Sequence, residues 1–352
     1  MNNTFKFLTV ILLLSSSSFG QEIYKRIDSI IKNNYERNPN IGVSVGFINE
    51  NKEYYTAYGK LNMESDIDIN KNTIFEIASI TKILTSNLVA QAVIENKMNL
   101  DHLIDDYLPD SYVLHRNIQN KIKISDLASH QSGLKDLDFG KLLELNPQQP
   151  LGNVTTKTLS DLVNNSTELI DYGQYRYSTI GYTLLGQILE TVYNKSFDEL
   201  ITEKIVDKLQ LQNTLTKEFN LENRTTGYNQ NGNVQEFLKW NITAPAGLIK
   251  SSASDMILFL KVILNEEDVV SKAAKMTEKT FYKKGERELG LGTNIFKDDQ
   301  NTLYLKSGDS MGQSSIICYN RVENWGIILL LNQRNSKMRQ DLLNKIYETV
   351  LK

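Results

Sequence analysis

Phe75-Glu76-Ile77-Ala78-Ser79-Ile80-Thr81-Lys82 is the segment on which the predicted fold depends, because in it a short extended run turns into a helix. Positions three apart share one face of a helix, so the Ser79 hydroxyl and the Lys82 amine can come within hydrogen-bonding distance. The segment therefore places a candidate nucleophile beside a candidate base. The same S-x-x-K spacing occurs by chance in many soluble helices, so the function must be read from the rest of the chain as well.

The helix that follows, through Asn96, has an apolar face so wide that we expect it to be buried. Burial raises the cost of charging Lys82 and favours the neutral amine, which can accept a proton from Ser79. The N-terminus of the helix also provides backbone N–H groups and a partial positive charge where an oxyanion would form. These features suit nucleophilic catalysis.

Residues 1–20 are typical of a secretory signal peptide. A lysine precedes Phe7–Leu14, an almost wholly apolar segment too short to span a bilayer, and a serine run ends at Ser18-Phe19-Gly20. We predict cleavage near Gly20/Gln21, no stable membrane span, and a secreted or periplasmic protein. An uncleaved membrane anchor is the alternative.

The composition is that of an ordinary globular protein, with 40% hydrophobic and 23% charged residues and a formal net charge of −3. Because there is no basic stripe, nucleic acid and anionic membrane surfaces are poor candidate partners. The single cysteine, Cys318, excludes an internal disulfide and is predicted to be a small buried apolar residue. The three histidines have no spacing typical of a metal site, so we predict no metal and no other cofactor. The sequence leaves the oligomeric state open.

Extended segments are predicted at both ends of the chain. They are apolar or alternating runs that are rich in β-forming residues and separated by Gly, Asn and Asp. A hairpin is predicted near the N-terminus, and more strands follow near the C-terminus. The predicted strands are Gly42–Ile48, Glu53–Gly59, Leu289–Phe296, Thr302–Lys306, Ser314–Asn320 and Trp325–Leu331.

Apolar residues at helical spacing predict helices between these two groups of strands and at both ends of the chain. Segments 110–120 and 135–156 have weak periodicity, and we expect them to be rich in loops and to line a cleft. The predicted helices cover 22–36, 122–129, 157–164, 178–193, 196–209, Ser252–Leu264 and a closing segment that carries Met338 to Val350.

This order of elements predicts an α+β fold. An antiparallel sheet is built from both chain ends and flanked by the terminal helices, and a mainly helical region is inserted between them. We predict one catalytic domain over residues 21–352, with a sheet region of 21–78 and 240–352 and a helical region of 79–239.

Further motifs follow the S-x-x-K segment along the chain. Tyr177-Ser178-Thr179 leads into an apolar helix, and Lys306-Ser307-Gly308 ends a strand. His130-Gln131-Ser132-Gly133-Leu134 is a helix end followed by a turn, and Pro245-Ala246-Gly247 begins a segment that continues to Asp255-Met256.

Taken together, S-x-x-K, Y-S-x and K-S-G resemble the three motifs of the serine β-lactamase and penicillin-binding protein superfamily. The closer resemblance is to the branch of class C β-lactamases, related DD-carboxypeptidases, esterases and D-amino-acid peptidases. That branch has a tyrosine in its second motif, an H-T-S-G-L turn and a P-A-G-G-L segment. The likeness runs from Gly42 to the closing helix, and it implies a β-lactamase/transpeptidase-like fold and an acyl-enzyme mechanism.

The resemblance implies a role for each catalytic residue. Ser79 would attack a carbonyl and form the acyl-enzyme, while Lys82 and Tyr177 would share general-base and general-acid duty. The backbone N–H groups of Ser79 and Asp309 would hold the oxyanion.

Substrate binding, by the same resemblance, would fall to Thr179 and to Lys306, Ser307 and Gly308. The Lys306 amine would attract a substrate carboxylate and the Ser307 hydroxyl would hydrogen-bond it. The implied partner is therefore a small molecule or peptide that bears a carboxylate. His130 is predicted to be a structural hydrogen-bonder rather than an acid or base.

Two positions depart from the family's motifs. Thr179 stands where asparagine is usual, and its short hydroxyl cannot replace an amide that contacts the acylamino side chain of the substrate in class C enzymes. Asp309 stands where glycine, alanine or serine is usual, and a carboxylate close to an oxyanion would oppose it unless turned away.

These observations predict an exported serine hydrolase that acts on a small amide, β-lactam or ester, with D-alanyl peptides among the candidates. An esterase or D-amino-acid peptidase with little action on β-lactams is a second hypothesis. A penicillin-binding sensor that does not turn over, or a pseudoenzyme, is a third, because the residues at 179 and 309 depart from the motifs.

Overall fold

The computed structural model describes residues 21–217, 222–265, 267–298 and 301–351. The predicted signal peptide, residues 1–20, lies outside the described residues. Within them, no helix combines the length and the apolar character that crossing a membrane requires.

The described residues form twelve strands, of which eight make one antiparallel sheet in the order β2-β1-β12-β11-β10-β9-β8-β7. The other strands form two small pairs, β3 with β6 and β4 with β5. The strands are β1 Val43–Asn49, β2 Lys52–Tyr58, β3 Phe75–Glu76, β4 Gly227–Tyr228, β5 Val234–Gln235, β6 Lys250–Ser251, β7 Tyr282–Lys284, β8 Arg287–Leu289, β9 Asn294–Lys297, β10 Thr302–Asp309, β11 Ser314–Asn320 and β12 Trp325–Leu331.

Eleven α-helices are present in the same described ranges, together with four short turns of 3₁₀ or π type. The turns are Ala78–Ile80, Ile104–Asp106, Thr202–Val206 and Tyr347–Leu351. The helices are α1 21–37, α2 Thr81–Ile94, α3 Ile124–Ala128, α4 Phe139–Leu145, α5 Thr156–Asn164, α6 Thr179–Tyr193, α7 Phe197–Ile201, α8 Ala244–Gly247, α9 Ala253–Asn265, α10 Val269–Thr277 and α11 Ser336–Ile346.

The pairing of β1 with β12 joins the two ends of the chain. Val43 lies opposite Leu331 and Asn49 opposite Trp325, so the first long strand takes its place inside the sheet rather than at its edge. The predicted α+β fold, with a sheet built from both chain ends, is confirmed.

The two faces of the sheet carry different helices. In β1, Val43, Val45 and Phe47 pack with apolar residues of α1 and α11, because alternate side chains of a strand point to the same face. Ile48, on the opposite face, belongs to the larger core that also contains α2, α6 and α9. The terminal helices thus cover one face, as the sequence predicts, and helices of the larger core cover the other.

Helix α2 lies at the centre of the larger core. Residues 81–92 are all buried, and the helix packs against α6, α8 and α10. A helix buried around its whole circumference has no polar stripe, which is why the sequence shows apolar residues on nearly every side.

The prediction of one continuous strand over Leu289–Phe296 is wrong. The structure has β8 and β9 joined by a tight turn in which Gly292 adopts φ +76°, a conformation that favours glycine. A Cβ at Gly292 would also lie 2.7 Å from the backbone oxygen of Lys82, so the turn packs closely against α2.

Two further segments differ from expectation. The predicted helix over 196–209 is α7 followed by the Thr202–Val206 turn, and the segment 135–156 contains one short helix, α4, within its loops. Neither segment has apolar residues regular enough to define these breaks from the sequence.

Gly46 is the position where β1 allows α9 to approach closely. A Cβ there would lie 2.4 Å from Cγ1 of Ile257 and 3.1 Å from the backbone oxygen of Ala253. We predict that Gly46→Ala lowers the free energy of unfolding by about 1–3 kcal/mol, because the helix must shift to admit the methyl group. Urea denaturation measures the change. Gly140→Ala, at a position with only one neighbour at 3.4 Å, is the control, and equal stability of the two variants would contradict this account of the packing.

Candidate active site

Ser79 is presented by a strained turn between β3 and α2. The preceding residue, Ala78, has φ +45°, a left-handed conformation that non-glycine residues rarely adopt. One 3₁₀ turn, Ala78–Ile80, then leads into α2, so the α-helix begins two residues after the predicted start at Ser79. The turn leaves Ser79 partly exposed at the N-terminal end of a buried helix.

The structure brings the three predicted catalytic side chains together. The Oγ of Ser79 lies 2.6 Å from the hydroxyl oxygen of Tyr177, and either group can donate the hydrogen bond. The Nζ of Lys82 lies 3.5 Å from the same Oγ. Tyr177 is therefore the nearer of the two candidate bases, with the amine behind it.

The amine of Lys82 is enclosed by the protein. It donates a hydrogen bond of 2.5 Å to the backbone oxygen of Ala246, and it lies 4.8 Å from the ring centre of Tyr177 and 5.3 Å from that of Tyr182. Burial lowers the pKa of Lys82 to about 7, and the nearby carboxylate of Asp136 opposes that shift. A substantial neutral fraction near neutral pH makes Lys82 a competent proton acceptor.

The ring of His130 packs against the ring of Tyr177. His130 Nδ1 accepts a hydrogen bond of 3.1 Å from the backbone N–H of Ser178, and its ring centre lies 4.6 Å from that of Tyr177. Burial, with help from Lys306 and Lys82, lowers the pKa of His130 well below its usual range. A neutral ring that accepts from the backbone fits the predicted structural role of His130.

Lys306 lies behind the tyrosine rather than in the open cleft. Its Nζ is 5.2 Å from the ring centre of Tyr177, and the residue is only 6% exposed. Burial lowers the pKa of Lys306 to about 8, and the charge of Lys82 acts in the same direction. Two amines therefore flank one phenol.

Gly308 allows β10 to approach the nucleophile. A Cβ at this position would lie 2.8 Å from the backbone N of Ser79 and 2.4 Å from the backbone oxygen of Ile77. The Oγ of Ser315 on β11 donates a hydrogen bond of 2.8 Å to the same Ile77 oxygen. These contacts fix the end of β10 against the Ser79 turn, where the resemblance places the oxyanion site.

The carboxylate of Asp309 is neutralised by an arginine that the sequence analysis missed. Arg339 of α11 lies 2.6 Å from Oδ1 of Asp309 and donates a second hydrogen bond, of 3.1 Å, to the backbone oxygen of Gly308. The Oγ of Ser314 also donates to Oδ1 of Asp309 at 2.5 Å. The Asp309 carboxylate is thus engaged by α11 and β11, which removes the objection to its position.

Ser307 does not join the cavity residues. It lies on the same face of β10 as Leu303 and Leu305, because alternate residues of a strand share a face, and both leucines pack on the side of the terminal helices. By this alternation Ser307 faces away from Lys306. The predicted contact between the Ser307 hydroxyl and a substrate carboxylate therefore has no support in this arrangement.

Thr179 lines the cavity at the start of α6, next to a carboxylate that the sequence analysis did not single out. Asp136 accepts hydrogen bonds from the backbone N–H groups of Thr179 at 2.8 Å and Ile180 at 3.0 Å. A carboxylate at a helix N-terminus stabilises that helix and fixes the adjoining Tyr177. Asp136 and Thr179 are distant in sequence, and no local pattern marks the pair.

A cavity of about 390 Å³ opens beside the nucleophile. Its lining includes Ser79, Lys82, Tyr177, Thr179 and Asp309. Lys306, Ser307 and Gly308 are not among the residues that line it. The predicted site residues therefore lie close together, but of the predicted residues on β10 only Asp309 lines the space that a substrate would occupy.

Residues 27–350 match the family model described as Beta-lactamase. The chain belongs to the Beta-lactamase family. Among curated proteins, it is 25% identical to Protein flp of Staphylococcus aureus (strain MW2) over 319 residues, which cover 88% of this chain and 63% of that protein. The chain thus spans somewhat less than two thirds of that relative.

Solved structures of other members share the fold. A class C beta-lactamase superposes with a TM-score of 0.82 at 20% identity, covering 94% of this chain and 96% of that one. A beta-lactamase/D-alanine carboxypeptidase from Pseudomonas syringae gives 0.81 at 19% identity, covering 93% and 99% of the two chains. Family membership supports the predicted serine hydrolase, and these neighbours show the shared fold.

Two side observations concern residues outside this Beta-lactamase-family site. Across the described ranges, no group of three or more His, Cys, Asp or Glu side chains is arranged to hold a metal ion. Cys318 is buried in β11, and burial raises its pKa to about 12, which suits the predicted apolar role rather than that of a nucleophile.

The pH dependence of acylation tests the proton acceptor. Because burial lowers the pKa of Lys82 to about 7, the amine is charged below that pH and neutral above it. We expect the rate of Ser79 labelling by a fluorophosphonate to fall about tenfold per pH unit below the pKa of Lys82 and to level off above it. The Lys82→Arg variant, which stays charged, should label very slowly throughout. A wild-type rate independent of pH across this range would remove Lys82 from the proton transfer.

The pair of Asp309 and Arg339 gives a second prediction, a double-mutant cycle. Asp309→Asn should change the labelling rate less than about threefold, because the carboxylate it removes is already neutralised. Arg339→Met should slow labelling roughly tenfold or more, since it leaves that charge uncompensated beside the oxyanion. The double variant should recover most of the loss. No recovery would mean that Arg339 acts through the fold and not through Asp309.

Proposed function

We propose that this chain is an exported serine hydrolase that forms an acyl-enzyme at Ser79 with a small ester, amide or β-lactam substrate. The observation that carries the proposal is the 2.6 Å contact between Ser79 and Tyr177 with the buried Lys82 amine behind it. A nucleophile within reach of a base, which is in turn held in place by a further group, is the arrangement that activates a hydroxyl.

The proposed reaction has two halves. Oγ of Ser79 bonds to the substrate carbonyl carbon while its proton passes to the pair of Tyr177 and Lys82. The oxyanion is held by the backbone N–H groups of Ser79 and Asp309, and its collapse breaks the bond to the leaving group, which takes the proton from Tyr177. Water then attacks the ester, the acid is released, and Ser79 regains its proton.

We also propose that the substrate carries a carboxylate and that Arg334, rather than Lys306, contacts it. Lys306 is buried behind Tyr177, whereas Arg334 is exposed and lines the mouth of the cavity. A β-lactam or D-alanyl peptide carboxylate would be attracted by both charges and contacted by Arg334. The carboxypeptidase activity named for the P. syringae structure favours including D-alanyl peptides among the candidates.

A second candidate is an esterase or D-amino-acid peptidase with little action on β-lactams. The specific support is Thr179, because a threonine hydroxyl in the cavity wall cannot make the two-way amide contact of asparagine. An ester needs no recognition of an acylamino group, so this change costs an esterase little.

Export is supported only by the pattern of residues 1–20, which is typical of a signal peptide. We propose a periplasmic or secreted location on that pattern.

Two substrates separate the candidates. Hydrolysis of a chromogenic cephalosporin and of a 4-nitrophenyl ester is measured with wild type and with Ser79→Ala, which should lose roughly a thousandfold or more of either activity. Turnover of both supports the broad hydrolase, and ester turnover alone supports the esterase. If neither substrate gives Ser79-dependent turnover, intact mass distinguishes a stable adduct on Ser79, which indicates a sensor, from the absence of any adduct, which indicates a pseudoenzyme.

A further inference from the structure

The cavity beside Ser79 has an apolar wall that the catalytic steps do not use. Apart from the catalytic groups, most of the side chains that line it are hydrocarbon, and they come from α4, the loop after it, and the segments before β6 and after β10. The apolar members are Ala78, Phe139, Leu143, Pro150, Leu151, Leu238, Ala246, Leu248 and Met311.

Several polar groups in the same wall are already satisfied by the protein. Both oxygens of Asp136 accept backbone hydrogen bonds from α6. The Oγ1 of Thr243 donates to Oδ1 of Asn241 at 2.7 Å, and the Oγ of Ser310 accepts from the backbone N–H of Gln313 at 3.1 Å. These groups therefore already have hydrogen-bond partners within the protein.

Helix α4 exposes apolar surface to this space. None of its residues is buried; Phe139 is 40% exposed, and Leu143 is half-buried in the cavity wall. The helix is held by the Asp138 side chain, which accepts a hydrogen bond of 3.1 Å from the backbone N–H of Lys141. When a hydrocarbon group of a ligand covers apolar side chains that face water, the free energy falls, so such a surface beside a nucleophile favours binding of that group.

The two ends of a substrate face different surroundings. The leaving group must lie at the Tyr177 hydroxyl that returns its proton, and Tyr177 is 43% exposed, so that side opens to solvent. The part that stays attached to Ser79 is then directed to the apolar wall around Leu143 and Leu151.

We infer that this wall is an acyl-binding subsite, and that the preferred substrates are esters or amides with an apolar aliphatic acyl group. The inference rests on the proposed function and names its substrate class. It places substrate selection on α4, a short surface helix, rather than on the catalytic motifs.

A series of 4-nitrophenyl esters tests the subsite, with the leaving group constant and the acyl chain lengthened from acetyl through butanoyl to hexanoyl. Transfer of a methylene into an apolar site is worth about fourfold, so kcat/KM of the wild type should rise about fourfold per methylene until the cavity is filled. Leu143→Asn should reduce this dependence to less than about twofold per methylene. Leu145→Asn is the matched control, because Leu145 lies on the same helix, is 65% exposed and does not line the cavity.

Binding without chemistry separates this inference from the proposed function. Calorimetric titration of Ser79→Ala with the same esters should give a Kd that falls about fourfold per methylene, again only while Leu143 is present. Chain-length-dependent binding without wild-type turnover would leave the subsite standing and overturn the hydrolase. Wild-type turnover with a flat series, in both kinetics and binding, would overturn the subsite and leave the hydrolase. An equal loss of dependence in Leu143→Asn and Leu145→Asn would also overturn it, since the effect would then not come from the cavity.

Discussion

The site depends on keeping one amine out of water. Lys82 is carried by a helix that is buried along almost its whole length, and its Nζ meets a backbone carbonyl, two aromatic faces and the nucleophile. An ammonium in such surroundings loses its hydration without gaining a carboxylate partner, so the proton is held weakly. The packing around α2 that stabilises the fold therefore also lowers the pKa of Lys82, the candidate base.

Three elements around the Lys82 amine each position one of the groups that surround it. Helix α6 carries Tyr177 just before its first turn and is fixed there by Asp136, α8 supplies the Ala246 carbonyl, and β10 brings Lys306 to the far side of the tyrosine ring. The two amines share one phenol, and the charge of Lys82 makes Lys306 harder to protonate. Burial, with a smaller contribution from the two lysine charges, lowers the pKa of His130 beneath them, so its ring stays neutral. Near pH 7 the Lys82 amine is therefore protonated in only part of the molecules, whereas the Lys306 amine remains mostly charged.

The fold and the three side chains of the candidate catalytic group could be predicted from the sequence, whereas the residues that support them could not. Strand alternation marks the sheet, the S-x-x-K spacing is local to one helix, and Tyr177 follows from motif order. The roles of Asp136 and Arg339 could not be predicted, because each contacts a residue at least thirty positions away in the sequence. Such a separation leaves no periodic signal. The orientation of Ser307 also lay beyond the motif, because a K-S-G match does not say which face of β10 the serine occupies. Only the register of β10 with β11 and the packing of its neighbours decide that face.

The pairing of β1 with β12 has a consequence for how the protein is made. The strand formed by residues 43–49 can pair with β2 at once, but it receives its second neighbour only when residues 325–331 are available, so the hairpin cannot join the rest of the sheet during most of translation. The Lys306 strand lies in the same late part of the chain, which means that Ser79 is synthesised long before its pocket exists. Nascent chains therefore carry Ser79 without its surrounding pocket until the last strands have been incorporated.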